Sequence, residues 1–257
     1  MSSQNFLVIF TSCICAYAVV PTQILALTTL DQKEGIQLKV MEVAQYNPKD
    51  RGAPSQTGSG GTRGGKCELD KNISGPPLSA LVPANDKSRL TVEGKPEFFV
   101  YVPQSSAQTA EFVLKDENRK NVYSTTFPIS GKAEIIRISL PTNVPALEKE
   151  KKYYWYFTVF CNTQNRSRNP FITEWIQRTE INSPNAAQVV KASLLDRSKF
   201  YAENSIWHDA VATLAESRRQ NPNDATLVNE WKKLLDSAGL QDFSDLPITL
   251  ISLENSP

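Results

Sequence analysis

Hydrophobic and polar positions follow two successive rhythms along the chain. Between about residues 76 and 181 they alternate in short runs. Glu97-Phe-Phe-Val-Tyr-Val102 stops at Pro103. Ala110-Glu-Phe-Val-Leu114 is followed by a polar turn at Asp116–Asn121, then Val122–Phe127, then Pro128. Glu134–Leu140, Tyr153–Cys161 and Phe171–Ile181 continue the series, and Leu78–Val82 and Leu90–Val92 fit short edge strands. β-branched and aromatic runs cut by Pro, Gly and Asn predict strands. This many short strands over about 105 residues predict an antiparallel, immunoglobulin-like β-sandwich. From about residue 185 the apolar spacing becomes helical. Helices are expected near 187–202, 205–220 and 224–238. Pro222 separates the last two, and Gly239 sits where a helix C-cap belongs. The fold class is therefore α+β. The tail segment Leu246–Leu253 fits either a last strand on the sandwich or a loose end.

Ahead of the strands the pattern is of another kind. Residues 1–26 carry no charged side chain, and Phe6–Val20 is apolar. That length suits the core of a signal peptide and is short of the ~20 residues of a membrane span. Cleavage after Ala18 or after Ala26 fits, and the later site is favoured; an uncleaved anchor over 6–27 is the alternative. Residues 27–75 form a Gly/Pro/Ser-rich arm, within which Ile36–Val43 alternates weakly, as a short strand would. The expected layout is thus signal peptide 1–26, arm 27–75, β-sandwich 76–181, helical cap 182–240 and tail 241–257.

Charge narrows the function classes. Lys and Arg total 28 against 27 Asp and Glu, a net charge of +1. No field-driven grip on nucleic acid follows from that balance. There is one His, so multi-histidine metal sites are excluded. Of four Cys, Cys13 and Cys15 leave with the leader. Cys67 and Cys161 remain as an even pair, which in an oxidising compartment predicts a disulfide. Two buried free thiols are the alternative.

Four motifs carry candidate chemistry. Gly60–Lys66 has the glycine and lysine spacing of a phosphate-binding loop, but Cys67 stands in the hydroxyl position and neither a strand nor a helix flanks it. A flexible arm pinned at Cys67 is the simpler account. Tyr153–Cys161 places Tyr153, Trp155, Phe157 and Val159 on one face and Tyr154, Tyr156, Thr158 and Phe160 on the other. Two apolar faces predict a central strand covered on both sides; a stacking platform is the alternative. Arg166, Arg168 and Arg178 fit a solvated loop, or else a grip on a carboxylated partner. Asn72-Ile-Ser74 and Asn165-Arg-Ser167 match the glycan acceptor triplet.

Tyr201, Trp207, Ala210, Leu214, Ser217 and Pro222 are spaced as in one tetratricopeptide unit. His208 lies one step off that stripe and is expected partly exposed and non-catalytic.

Several blocks together resemble the domain-of-unknown-function 928 family, found mainly in cyanobacteria. They include Arg51-Gly-Ala-Pro54, Gly61-Thr-Arg-Gly64 with Cys67, Phe98–Pro103, Tyr123–Gly131, Tyr154-Trp-Tyr-Phe157 with Cys161, Trp175–Arg178 and Trp207-His-Asp-Ala210. The resemblance runs from Arg51 to Ile248. It departs at Asn204-Ser205, where a glycine is expected before Ile206-Trp207. It implies an exported bacterial protein and transfers no catalytic residue.

The expected function is an exported, non-catalytic binding or scaffolding module of the bacterial cell envelope, in the periplasm or at the cell surface. An envelope protein partner is expected. No nucleic acid, no cofactor, no metal, no enzyme activity and no transmembrane domain after leader removal are expected, and the oligomeric state is open. A small-ligand or glycan-binding sandwich is one alternative. It needs an exposed aromatic among Tyr101, Tyr123, Tyr154 and Tyr156. A hydrolase with carboxylates from separated loops is the other. It needs a pocket holding two carboxyls of raised pKa.

Overall fold

The computed structural model describes residues 46, 67, 70, 72–83, 89–161, 168–181 and 186–253. The leader, the strand expected at Ile36–Val43, the phosphate-loop-like Gly60–Lys66 and the triplet at Asn165 lie outside the described residues.

The described strands form two sheets. The first joins β1 (Ser79–Ala80), β3 (Glu97–Val102), β6 (Glu134–Ser139) and β9 (Ile248–Ser252), in the order β1-β3-β6-β9. The second joins β2 (Leu90–Thr91), β4 (Thr109–Lys115), β5 (Asn121–Pro128), β7 (Lys152–Val159) and β8 (Phe171–Arg178), in the order β2-β8-β7-β4-β5. The antiparallel expectation needs correction, because both sheets are mixed. β2 runs parallel to β8, and β9 runs parallel to β6. A parallel neighbour needs a long crossover, and both pairs have one. The whole helical region lies between β6 and β9. Local alternation fixes which face a residue takes, not the direction of a distant partner.

Three layers follow from two separate apolar cores. One lies between the sheets and holds Phe98, Val100, Ile136 and Ile138 from the first sheet and Phe112, Leu114, Trp155, Phe157 and Ile176 from the second. The other lies between the first sheet and the helices and holds Phe99, Tyr101 and Ile135 against Trp207, Leu214, Trp231 and Leu234. β3 is therefore buried on both faces, whereas β7 is not. Tyr154, Tyr156 and Thr158 are only half-buried, which corrects the expectation that β7 is covered on both sides. The helices cover the other sheet.

The helical layer comprises a four-residue turn, α1 (Ala186–Val189), and then α2 (Leu194–Glu203), α3 (Trp207–Gln220) and α4 (Ala225–Ser237). The helix expected over 187–202 is divided, because Ser193 caps a new start. Its Oγ accepts from the Asp196 N–H at 3.1 Å. Asp224 Oδ1 likewise accepts from the Thr226 N–H at 2.8 Å and starts α4. Gly239 follows α4 with φ of +72°, a left-handed conformation that glycine adopts without a Cβ clash. The buried Trp207 indole Nε1 donates to the Leu81 carbonyl at 2.7 Å, tying α3 to the segment after β1. Tyr46 meets the same indole edge-on, with ring centroids 5.0 Å apart. The tail forms β9, and Thr249 and Ser130 both donate to the Glu134 carboxylate. Among the described residues no helix is long and apolar enough to cross a membrane.

Candidate functional site

Cys67 and Cys161 are brought together as a disulfide-capable pair, with Cα atoms 5.3 Å apart. Cys161 follows β7, and its N–H donates to Asn169 Oδ1 at 3.0 Å. Near Cys67, Asp70 Oδ2 accepts from Ser105 Oγ at 2.8 Å and from the Ser106 N–H at 2.9 Å. The pair thus joins the segment entering the fold to the end of a central strand.

The uncovered face of the second sheet is the first candidate surface. In register, Lys115 lies beside Tyr154, and Tyr154 beside Trp175. The row therefore sets one cation beside two rings. The Arg119 guanidinium lies 3.4 Å above the Tyr154 ring centroid, and its Nη1 donates to the Tyr156 hydroxyl at 2.8 Å. Lys115 Nζ is 5.3 Å from the Tyr156 ring, and Lys152 Nζ is 4.5 Å from that of Trp175. Cations at this range are attracted by the negative ring faces. Partial burial against Trp175 lowers the Lys152 pKa. Of the four tyrosines named for ligand binding, Tyr101 is buried against Phe243, while Tyr123, Tyr154 and Tyr156 are half-exposed.

The second candidate is a cleft of about 280 Å³ where α3 begins, facing β2 and the start of β3. Thr91, Glu93, Lys95, Glu97, Arg197 and Glu216 line it together with His208 and Asp209. His208 is 4% exposed and meets Phe98 edge-on at 6.1 Å, which corrects the expectation of partial exposure. One step off the stripe still points inward, because the start of β3 closes over the start of α3. Burial lowers the His208 pKa to about 4, against a donated hydrogen bond to the Glu97 carbonyl, so the ring is neutral. Asp209 is 3% exposed. Burial raises its pKa to about 7, although Thr91 and the Val92 N–H both donate to it. The Val92 bond to Oδ2 measures 3.2 Å.

Sequence reasoning did not single out Asp209. The available signal was a carboxylate directly after Trp207-His208 at the first turn of an apolar helix. Glu216 shares the cleft but moves the opposite way. The Arg219 side chain, with Gln220 and Arg137, holds its carboxyl down to about 2. Asp209 and Glu216 are therefore not two raised carboxyls; one is pushed up and the other held down. Among the described residues no group of three His, Cys, Asp or Glu converges as a metal site.

Residues 58–248 match the family described as Domain of Unknown Function (DUF928). No curated protein matches the chain.

Proposed function

The chain belongs to the DUF928 family, whose description names no activity, and from its own surface we propose an exported, non-catalytic binding or scaffolding module of the bacterial cell envelope. The contact surface is the uncovered face of the five-stranded sheet. The observation that carries this is the ladder of Tyr154, Tyr156 and Trp175 with Arg119, Lys115 and Lys152 laid across it. Those cations are held by rings before any partner arrives. Little side-chain entropy is then lost on contact, and preordered groups bind more tightly for that reason. Arginine held flat against a ring still presents N–H donors at its edge, a geometry suited to carboxylates. The partner is accordingly an envelope component that carries carboxylates.

Export is supported by the apolar run Phe6–Val20 near the start and by the cysteine pair. A disulfide between these two residues would persist most readily in an oxidising compartment. A photocrosslinker at Thr158, on this face, tests the proposal in intact envelopes. The expected result is a defined crosslinked partner whose yield falls at least tenfold in an Arg119→Ala/Tyr156→Ala variant of unchanged melting temperature. Equal yields from both proteins, or recovery of the chain from the cytosol with its leader intact, would overturn it.

A further inference from the structure

The strand β9 closes one edge of the first sheet, whereas the ladder lies on the second, so the two surfaces share no residue. Among the described residues β9 pairs with β6 alone. The Ile135 N–H donates to the Pro247 carbonyl at 2.9 Å. Backbone amides alternate sides along a strand, so Thr249 and Ile251 spend theirs on β6. Ile248, Leu250 and Ser252 therefore turn both N–H and C=O away from the sheet. Sheet edges are ordinarily blunted by shortness, charge or proline. β1 and β2 have two residues each, and the edge strand β5 ends on Pro128. β9 has five residues with neither a charge nor a proline, and its Leu250 is 48% exposed.

Beside this edge runs a groove of about 200 Å³. Ile248 and Leu250 line it from β9, Ala215, Arg218 and Arg219 from α3, and Arg137 from β6; no carboxylate is in the lining. Arg137 is answered by Glu97 and Glu216, and Arg219 by Glu216. Arg218 forms no ion pair among the described residues, and its guanidinium lies 5.0 Å above the Trp231 ring. The field of Asp245 reaches it, but that carboxylate is bonded to Lys232 at 2.7 Å. Partial burial lowers the Arg218 pKa in spite of that field. One cation is thus left over beside a row of open backbone groups. A second copy suits this badly, because pairing two β9 strands about a two-fold axis at Leu250 would set two arginine-lined grooves side by side. An extended peptide with a carboxylate suits it on both counts. Its backbone completes the outward amides, and alternate side chains enter the groove.

We propose that the β9 edge takes up an extended acidic peptide segment as an added strand, with its backbone on Ile248, Leu250 and Ser252 and one Asp or Glu side chain in the groove beside Arg218. The segment belongs to a protein partner. This site goes beyond the ladder reading and needs nothing from it.

The test uses the full mature chain and fluorescence anisotropy with labelled, end-blocked heptapeptides. The probe is Ser-Thr-Val-Thr-Glu-Thr-Ser, and a companion carries Gln in place of Glu. The Glu peptide is expected to bind with Kd below about 1 mM, and the Gln peptide about tenfold or more weakly. N-methylating one alternate set of the probe's amides is expected to abolish binding and the other set to leave it, because only one edge of the added strand meets β9. Leu250→Pro removes an outward N–H without costing a bond to β6, and is expected to abolish binding at an unchanged fold. Arg218→Gln is expected to bring the Glu peptide to the level of the Gln peptide. Arg119→Ala/Tyr156→Ala is expected to bind as wild type does, which separates this edge from the ladder. The N-methyl pair needs no protein variant, so it decides even where Leu250→Pro fails to fold. No binding of the Glu peptide overturns the proposal, as do equal affinities for the Glu and Gln peptides or equal effects of the two methylations. Loss of binding in Arg119→Ala/Tyr156→Ala places the peptide on the ladder and overturns it. A dimer of the free chain that Leu250→Pro dissolves assigns the edge to a second copy and overturns it too.

Discussion

Two adjacent side chains, His208 and Asp209, make opposite contributions to stability against pH. Folding raises the Asp209 pKa from 3.8 to about 7. Between those values the folded state holds more protons than the unfolded one, so this contribution to stability falls as pH rises. Folding lowers the His208 pKa from 6.5 to about 4. There the unfolded state holds more protons, so its contribution rises with pH. From about pH 4 to 6.5 the two slopes, each near 1.4 kcal/mol per pH unit, cancel. Single substitutions uncover the survivor. Asp209→Asn is expected to gain on the order of 3 kcal/mol of stability across that window relative to wild type, and His208→Gln to lose a similar amount. Urea unfolding of the three proteins at several pH values measures this. Parallel profiles would refute the burial of both groups. Sequence periodicity placed His208 at the edge of the apolar stripe but said nothing of Glu97 and Phe98, which close over it from another strand. Ser205 is a second case of this kind. The departure from the expected glycine was legible, and the structure gives the buried Ser205 a φ of +62°. An L-residue there costs roughly 1–2 kcal/mol, and a glycine's extra unfolded entropy offsets about 0.5–1 of any gain. Ser205→Gly is therefore expected to stay within about 1 kcal/mol of wild type, and Ser205→Val to lose more than about 2, because a β-branched side chain is a true outlier at positive φ. Thermal melts of the pair check the order.

Strand positions were legible to within one to three residues, because each depends on local alternation and a local stop. Glu97–Val102 runs from its first charge to Pro103, and Glu134–Ser139 ends one residue before its expected limit. Strand direction and coverage were not legible. Both depend on where the helices dock, and that is decided by contacts such as Trp207 Nε1 to the Leu81 carbonyl, between segments far apart in sequence. The same separation gives the cysteine pair its weight. Closing a loop of 94 residues is worth about 4–5 kcal/mol in the chain-entropy estimate for loops near 100 residues. The Cys67→Ser/Cys161→Ser variant is accordingly expected to melt well below wild type. Adding dithiothreitol should lower the wild-type melting temperature toward the variant's and leave the variant unchanged. A reductant-insensitive wild type would show that the thiols are free and would remove one support for export. Because Cys161 lies just past the end of β7, the loss is expected to reach the Tyr154–Tyr156 ladder on that strand.

At the level of the whole molecule, the first sheet is the middle layer: its central strands β3 and β6 are covered on both faces, while Leu250 on the edge strand β9 is exposed. Leu81, Phe99, Tyr101 and Ile135 are each at most 4% exposed, against the helices or the tail. Uncovering four large side chains forfeits roughly 1.5–3 kcal/mol apiece, which rivals a total stability of about 5–15 kcal/mol. Removal of residues 186–253 also takes away β9 and leaves the edge of β6 unpaired. The strand region is therefore expected not to fold alone. A 27–181 fragment should elute as an aggregate or bind a hydrophobic dye, with no cooperative melt. A monomeric fragment with a sharp transition would mean that the helices are an accessory cap, and the three-layer account would fail. The same layering explains why the ladder is available to a partner. The helices pack mainly on the first sheet and reach the second only at its β2 edge, so the outer face of the second holds Tyr154 and Tyr156 half-exposed under Arg119 without cost to either core.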